Sequence, residues 1–167
     1  STGSIWVVGN VSRSCAPGIG VAKFSAVGTA ETSFGSLLDG RGIYAGSAAP
    51  FCNDSAPDLA TDAALQDGRL AIVGQGQFRD LNNTLRGDSL FLAIDAQNGI
   101  DHSLTHLPYM VSSTRIGDTA LYGVAASGSG NFAVSGENFD VVNVSSFLSA
   151  RLRPIDALFR NSFEDPF

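Results

Sequence analysis

The feature that most limits the possible folds of this chain is a set of glycines that recur at a nearly constant spacing. Gly9, Gly74 and Gly136 lie 65 and 62 residues apart, and each closes a short apolar run. A self-similarity of this period indicates stacked supersecondary units, each of which needs its neighbours to bury its faces. The runs are Ile5–Gly9, Leu70–Gly74 and Phe132–Gly136.

The middle unit shows the whole pattern and predicts a four-stranded meander. It contains, in order, an alternating segment Asp58–Leu65, a turn at Asp67-Gly68, a strand Leu70–Gly74, a long polar loop Gln75–Asp88, a strand Ser89–Asp95 and a poorer apolar run near Leu104–Val111. Alternation followed by continuous apolar runs between turn residues is typical of partly and fully buried strands. The first unit begins one strand late, since no segment like Asp58–Leu65 precedes Ile5.

Units of four antiparallel strands whose inner strands are apolar on both faces are typical of propeller blades. We therefore predict an all-β, propeller-like fold of about three blades, in which the first blade lacks one strand. A single domain spans 1–167, with units at about 1–57, 58–114 and 115–160 and a tail at 161–167. The Ala-rich segments Leu59–Leu65 and Thr119–Ala126 are short and match strands of the unit, so we favour strand over helix.

The motifs within the units resemble the delta-60 repeats of bacterial proteins. Those repeats have an Asp-Gly turn before a strand ending in Gly, and then a strand followed by an Asp-rich Gly turn and Ser-Phe-Gly. Leu65–Gly74 is similar to the first half, and Ala22–Phe24 with Gly28–Gly35 is similar to the second, with Lys23 and Glu31 where Arg and Asp are more usual. The resemblance implies a propeller-like β fold and transfers no catalytic residue.

A second resemblance concerns the C-terminal segment. Asp156–Glu164 is similar to the Asp-x-Ile/Leu-Phe-x-Asn/Asp-Gly-Phe-Glu endings of many secreted Gram-negative bacterial proteins, with Ser162 at the usual Gly position. This implies secretion, or a location in the periplasm or outer envelope of a Gram-negative bacterium. Ala157–Arg160 also suits the outer strand of the last unit, and both interpretations can hold together.

The chain has two cysteines, and both lie among turn-forming residues. Cys15 is followed by Ala-Pro-Gly and Cys52 is preceded by Pro-Phe, whereas an inert free cysteine is usually buried among apolar side chains. We predict a Cys15–Cys52 disulfide that closes a loop of 36 residues, with two free thiols as the alternative. A disulfide indicates an oxidising compartment.

Charge and hydropathy exclude two classes of partner. The net charge is −6 and the pI is about 4.6. The chain contains one lysine, Lys23, and nine arginines. Since nucleic acids attract proteins with a basic stripe, which this sequence lacks, we predict no nucleic-acid binding. No apolar run approaches the roughly 20 residues of a membrane helix, so we predict no membrane insertion.

Three units are too few to close a ring, since propellers usually have four to eight blades. Open apolar sheet faces and edges favour association. We therefore expect a homodimer, or a chain that is a fragment or subunit of a larger propeller which another polypeptide completes. A self-contained irregular sandwich or barrel is the remaining alternative.

The sequence offers no convincing catalytic or metal-binding set. His102 and His106 lie four apart in a predicted strand, about 13 Å from each other at ~3.3 Å per residue, which is too far to share one metal ion. Asp58 and Asp62 are of a type that serves acid-base or calcium chemistry, but turn-capping is the better interpretation without a dense Asp-rich loop. Arg86-Gly87-Asp88 spells an adhesion tripeptide, although Gly-Asp also suits the start of a strand. We predict no catalytic, cofactor-binding or metal-binding residue, and hence no cofactor.

We therefore expect an exported, non-catalytic binding or scaffolding module whose contact surface is formed by loops on a rigid repeat. The candidate loops are Val11–Gly18, Ala48–Ala56, Gln75–Asp88 and Asn138–Asn143. Two alternatives remain: an exported hydrolase, or one chain of it, that uses aspartates and a histidine, and a structural subunit of a surface assembly.

Overall fold

The computed structural model describes residues 3–12, 17–35, 39–44, 58–79, 85–100, 102–107, 109–111, 114–140 and 145–152. Within these ranges the chain forms eleven strands in three antiparallel sheets and has no helix. The prediction of an all-β protein is confirmed. These ranges accordingly hold no helix with the length and apolar character needed to cross a membrane.

The first sheet has three strands in the order β1 (Ile5–Ser12), β2 (Pro17–Phe24) and β3 (Arg41–Tyr44). β2 begins four residues earlier than the predicted strand at Val21, because Ile19 is buried and lies between Asn10 and Tyr44 in the ladder. Cross-strand pairing on both sides therefore outweighs the turn-forming tendency of the flanking glycines. Cys15 and Cys52 lie outside the described residues, so their disulfide stays a prediction.

The second sheet is a meander in the order β4 (Leu59–Gln66), β5 (Arg69–Arg79), β6 (Leu85–Asp95) and β7 (His102–Leu107). Asp67 and Gly68 both have positive φ, which suits the two-residue turn joining β4 to β5. The predicted polar loop Gln75–Asp88 is wrong over most of its length, because β5 and β6 stay paired out to Arg79 and Leu85. The hydrogen bonds between β5 and β6 join backbone groups, so the strands can pair here although many of the side chains are polar.

The third sheet has the order β8 (Tyr109–Val111), β9 (Thr114–Ala126), β10 (Phe132–Asp140) and β11 (Ser145–Leu152). Strands were expected at Leu59–Leu65 and Thr119–Ala126, and β4 and β9 confirm this. The apolar run near Leu104–Val111 is divided between two sheets: its first part is in β7, whereas β8 pairs with β9. Ala157–Arg160, expected as an outer strand, lies outside the described residues.

Two apolar cores hold the sheets together, and the second sheet contributes to both because its central strands are apolar at successive positions. Buried residues between the first and second sheets are Ile19, Val21, Phe34, Tyr44, Leu70, Ile72, Leu90, Leu92 and Ile94. Buried residues between the second and third sheets are Ala71, Val73, Phe91, Ala93, Leu121, Phe132 and Val134. The second sheet is thus the central layer of the stack.

The same face of each repeat is turned toward the preceding unit. Leu70 and Ile72 of the second sheet pack against the first sheet. Phe132 and Val134, each 62 residues later, occupy the equivalent positions in the third sheet and pack against the second. The three sheets therefore follow one another in one repeated orientation, as stacked repeat units do.

A β-bulge also recurs with the repeat. Thr61 is an extra residue in β4 beside Gly74, and Tyr122 is an extra residue in β9 beside Gly136. A bulge brings the backbone of one strand close to its partner and increases the local twist. This explains why the two runs end in glycine.

The close approach at these glycines leaves no room for a side chain. A Cβ atom on Gly74 would lie 1.8 Å from the carbonyl oxygen of Leu59, and one on Gly136 would lie 2.0 Å from that of Ala120. Gly9 is at the corresponding position of β1, where a Cβ atom would meet no atom within 4 Å. The first unit thus keeps the glycine although the first sheet has no strand on that side of β1 within the described residues.

Candidate functional site

An open cleft of about 400 Å³ lies between the first and second sheets. Its lining comes from β1, β4 and the start of β5, and consists of Trp6, Val8, Ala60, Thr61, Asp62, Ala63, Leu65 and Leu70. Asp62 is the only titratable side chain in this lining. Because general acid-base catalysis needs a positioned proton donor or acceptor and usually a second group, this cleft is better suited to bind an apolar group or an extended segment.

Trp6 is fixed in the wall of the cleft by two contacts. Its ring packs edge-on against Phe34, with centroids 5.2 Å apart, and the Nζ of Lys23 lies 5.1 Å from its centroid. Lys23 is itself held by Glu31, at 2.9 Å, and by the carbonyl oxygen of Ala96, at 3.0 Å. Lys23 therefore joins the first sheet to the turn after β6. Trp6 packs against the first core in a partly buried position.

The β4 wall is held by backbone contacts to both neighbouring sheets. The amide of Ala60 donates to Oδ1 of Asn10 at 2.8 Å. The Thr61 hydroxyl lies 2.7 Å from the carbonyl oxygen of Leu121. Asp62 accepts the amide of Val124 at 2.9 Å. β4 is therefore anchored to β1 on one side and to β9 on the other.

Asp58 and Asp62, weighed as acid-base or calcium residues, have different surroundings. Asp62 is exposed and its two carboxylate oxygens accept the amides of Ala63 and Val124, so it caps strand backbone and not the predicted turn. Asp58 is buried at the start of β4. Within the described ranges no group of three or more His, Cys, Asp or Glu side chains is placed to hold a metal ion.

Both histidines lie on β7, the outer strand of the second sheet, as the strand prediction for them requires. His102 is exposed, its ring lies edge-on to Tyr44 with centroids 5.1 Å apart, and its Nδ1 is 2.9 Å from the carbonyl oxygen of Ile100. The described contacts of His102 place no carboxylate beside it. They give no support to a histidine-carboxylate pair of the kind that an exported hydrolase would use.

Gly87 and Asp88 of the adhesion-like tripeptide are buried in β6. This confirms that Gly-Asp belongs to the start of a strand. Adhesion through an exposed loop would need these residues to be accessible, and they are not.

Three of the four predicted contact loops, Val11–Gly18, Gln75–Asp88 and Asn138–Asn143, are shorter than expected, because neighbouring strands extend into them. These strand ends lie at one end of the stack. β1 and β2, β5 and β6, and β10 and β11 are equivalent hairpins that turn at this end. Residues 13–16, 80–84 and 141–144, which connect them, lie outside the described residues, as does 45–57 after β3. We call this side of the molecule the hairpin end.

Two tyrosines have raised pKa values for different reasons. Burial raises the pKa of Tyr44 to about 12, and its hydroxyl donates to the carbonyl oxygen of Gly99. The pKa of Tyr122 is raised to about 12, mainly by the hydrogen bond that its hydroxyl donates to the carboxylate of Glu137 and to a smaller extent by burial. Both phenols are therefore neutral donors at physiological pH.

The outermost sheet faces carry exposed apolar side chains. Ile5 and Val7 on the first sheet are 47% and 53% exposed, whereas Leu70 and Ile72, their equivalents in the second unit, are 2% and 0% exposed. On the third sheet Phe147 is 79% exposed. Contiguous exposed apolar positions mark surfaces for association.

Sequence reasoning missed the cleft, the Lys23–Glu31 ion pair and the role of Asp62. The sequence did contain a sign of the ion pair, because Lys23 and Glu31 are the two positions where this chain departs from the residue types of the delta-60 pattern. The sequence contained no sign of the cleft, since the cleft depends on how two sheets pack.

No protein-family model matches the chain, and a search of curated proteins finds no match. The resemblance to delta-60 repeats stays a prediction.

Proposed function

We propose that this chain is a binding and scaffolding module of the propeller type, exported to the envelope or surroundings of a Gram-negative bacterium. The observation that carries the proposal is the repeated orientation of the three sheets, in which Phe132 and Val134 take the places of Leu70 and Ile72. Repeats stacked in this way form a rigid frame that presents loops along one side. The family resemblances support the propeller geometry and export.

The module works as part of a larger assembly, either a homodimer or a complex in which another polypeptide completes the propeller. Support comes from Ile5 and Val7, which are about half exposed although their equivalents in the second sheet are buried. Covering such side chains with an apolar partner contributes roughly 25 cal/mol per Å² of apolar surface removed from water. Native mass spectrometry under non-reducing conditions tests this, with a partner expected and a stable lone chain contradicting it.

The hairpin end is the proposed ligand surface. The test shortens 80–84 or 141–144 to an Asn-Gly turn, and the matched control shortens Gly128–Gly130 at the opposite end of the third sheet. Binding is measured on panels of glycans, peptides and bacterial envelope fractions. We expect hairpin-end variants to lose at least about tenfold in affinity, a change of ~1.4 kcal/mol, while the control keeps it.

A hydrolase would give a different result. Turnover of ester, peptide or glycoside substrates that His102→Ala or His106→Ala abolishes would overturn the proposal. Binding lost equally in the control variant would also count against the hairpin end as the ligand surface.

A further inference from the structure

We propose that the outer face of the third sheet binds an alkylammonium group, with the carboxylate of Glu137 and the rings of Tyr122 and Phe147 as the site. The ammonium lies at the carboxylate and the alkyl stem lies against the rings. The ligand is a lysine side chain of another polypeptide, or a free amine of the same chemistry. This inference goes beyond the proposed function, since it requires neither a completed propeller nor the loops of the hairpin end.

The three side chains lie on neighbouring strands and share one face of the sheet. Glu137 on β10 is paired with Phe147 on β11, and paired residues of an antiparallel ladder have their side chains on the same face. From the other side, the hydroxyl of Tyr122 on β9 donates to the carboxylate of Glu137. The rings of Tyr122 and Phe147 are 51% and 79% exposed. The carboxylate is therefore held between two accessible rings.

The first sheet contains an occupied site of similar composition. The Nζ of Lys23 lies 2.9 Å from a carboxylate oxygen of Glu31, 5.1 Å from the ring centroid of Trp6 and 5.9 Å from that of Phe34. A carboxylate attracts an ammonium through charge and hydrogen bonding, and the face of an aromatic ring attracts it through the ring quadrupole. Apart from the carbonyl oxygen of Ala96, the groups that hold this ammonium are one glutamate and two rings.

Glu137 has one carboxylate and two rings but no cation. Among the described residues, no cationic side chain lies within ion-pair distance of it. Arg151 is on the same face, but its cross-strand partner Ala133 is four residues from Glu137, or roughly 13 Å along β10. The sequence contains one lysine, Lys23, which is already bound to Glu31. A lysine for this site therefore comes from a different polypeptide and not from a second copy of the chain.

The two exposed rings are not the remainder of an apolar interface between sheets. In the second sheet the cross-strand pair Val73–Phe91 is buried against the third sheet. The equivalent pair in the third sheet is Ser135–Ser149, and the next outward position on β11 is the exposed Arg151. The outer face is thus polar where the second sheet is apolar. Exposed aromatic rings grouped around a carboxylate on such a face indicate recognition of a ligand.

The experiment titrates the whole chain with butylammonium or with 1-butanol at pH 7 and follows backbone amide shifts by NMR. The two probes have the same alkyl chain, but only butylammonium carries a charge. We expect butylammonium to bind in the millimolar range and to shift the amides of β10 and β11 beside Glu137. 1-Butanol should bind at least about fivefold more weakly, because it lacks the ion pair and the cation–π contact.

Two variants and a matched control locate the site. Glu137→Gln keeps the size of the side chain and an oxygen that accepts from Tyr122, but it removes the charge. Phe147→Ser introduces the residue that Ser89 supplies at the equivalent position of the second sheet. Each should weaken butylammonium binding at least about fivefold. Asp67→Asn removes an exposed carboxylate from the turn between β4 and β5, and it should change binding by less than about twofold, because distant charges are screened.

A second arm of the experiment identifies the source of the ammonium group. It compares the peptide acetyl-Gly-Lys-Gly-amide with acetyl-Gly-Gln-Gly-amide. Binding of the lysine peptide that Glu137→Gln weakens would assign the site to a lysine side chain of a polypeptide. Binding of butylammonium alone would assign it to free amines, and both results support an alkylammonium site.

Equal binding of butylammonium and 1-butanol would overturn the proposal, as would butylammonium binding that is unchanged in Glu137→Gln. Loss of binding in Asp67→Asn as large as that in Glu137→Gln would also overturn it, because a general effect of charge would then explain the result. The test uses no hairpin-end variant, so this inference and the proposed ligand surface can fail separately.

Discussion

Lys23 and Glu31 form an ion pair, with Nζ 2.9 Å from a carboxylate oxygen, across the turn that follows β2. The delta-60 pattern more often has Arg and Asp at these two positions. Because lysine is shorter than arginine and glutamate is longer than aspartate, the two departures compensate in reach. The same Nζ also binds the carbonyl oxygen of Ala96, so this contact joins two sheets.

The first prediction concerns the pH dependence of this pair. The hydrogen bond from Lys23 lowers the pKa of Glu31 below its ordinary 4.5. A lowered pKa in the folded state means that the pair stabilises the fold above about pH 4.5 and that this contribution is lost as the pH falls through the folded-state pKa. In urea unfolding across this window, Glu31→Gln should be less stable than the parent at pH 7 and approach it at low pH. A difference independent of pH would contradict the assignment.

The second prediction separates the three repeat glycines. Gly74→Ala and Gly136→Ala should lower the free energy of unfolding by about 1–3 kcal/mol, because each new methyl group meets a backbone oxygen. Gly9→Ala should be neutral or stabilise by up to about 1 kcal/mol, because the space is open and the unfolded chain loses freedom. Chemical denaturation of the three variants measures this. Equal losses at all three sites would show that Gly9 is already covered.

The third prediction concerns tyrosine ionisation. Tyr44 and Tyr122 should titrate near pH 12, above the ordinary value of 10.0, when phenolate absorbance is followed. Because the raised pKa favours the neutral phenol in the fold, this stabilisation is complete below about pH 10 and is lost as the pH rises toward 12. Tyr44→Phe and Tyr122→Phe should each remove one late step. A late step that persists in the double variant Tyr44→Phe, Tyr122→Phe would contradict the assignment.

The fourth prediction concerns the cysteines. Intact mass of the non-reduced protein should show the loss of two hydrogens that one Cys15–Cys52 disulfide causes. The double variant Cys15→Ser, Cys52→Ser should then lower the free energy of unfolding by about 3–4 kcal/mol, through the loop entropy regained by the unfolded chain. Reduction of the parent should give the same loss. Two free thiols in the protein as isolated would rule out the disulfide.

The sequence predicts the strands well where a local pattern determines them. β4 and the second half of β9 follow from alternation and from their place in the repeat, although both are rich in alanine. The turn at Asp67-Gly68 follows from the preference of such pairs for positive φ. These features depend on neighbours along the chain, which the sequence shows directly.

What the sequence does not predict depends on partners distant along the chain. Gln75–Asp88 is rich in polar residues and glycine, so it suggests a loop, yet pairing between β5 and β6 extends well into it. The cleft beside Trp6 depends on the distance between two sheets. Asp62 is identified as a backbone cap only when β9 is placed beside β4.

The repeated orientation of the sheets has a consequence for how such a protein evolves. Each unit receives its predecessor on one face and offers its successor the other, so every internal junction uses the same pair of surfaces. Duplication of a gene segment one period long would therefore insert a unit without requiring a new interface. Each inserted unit would bury one end face of the stack and expose an equivalent face in its place.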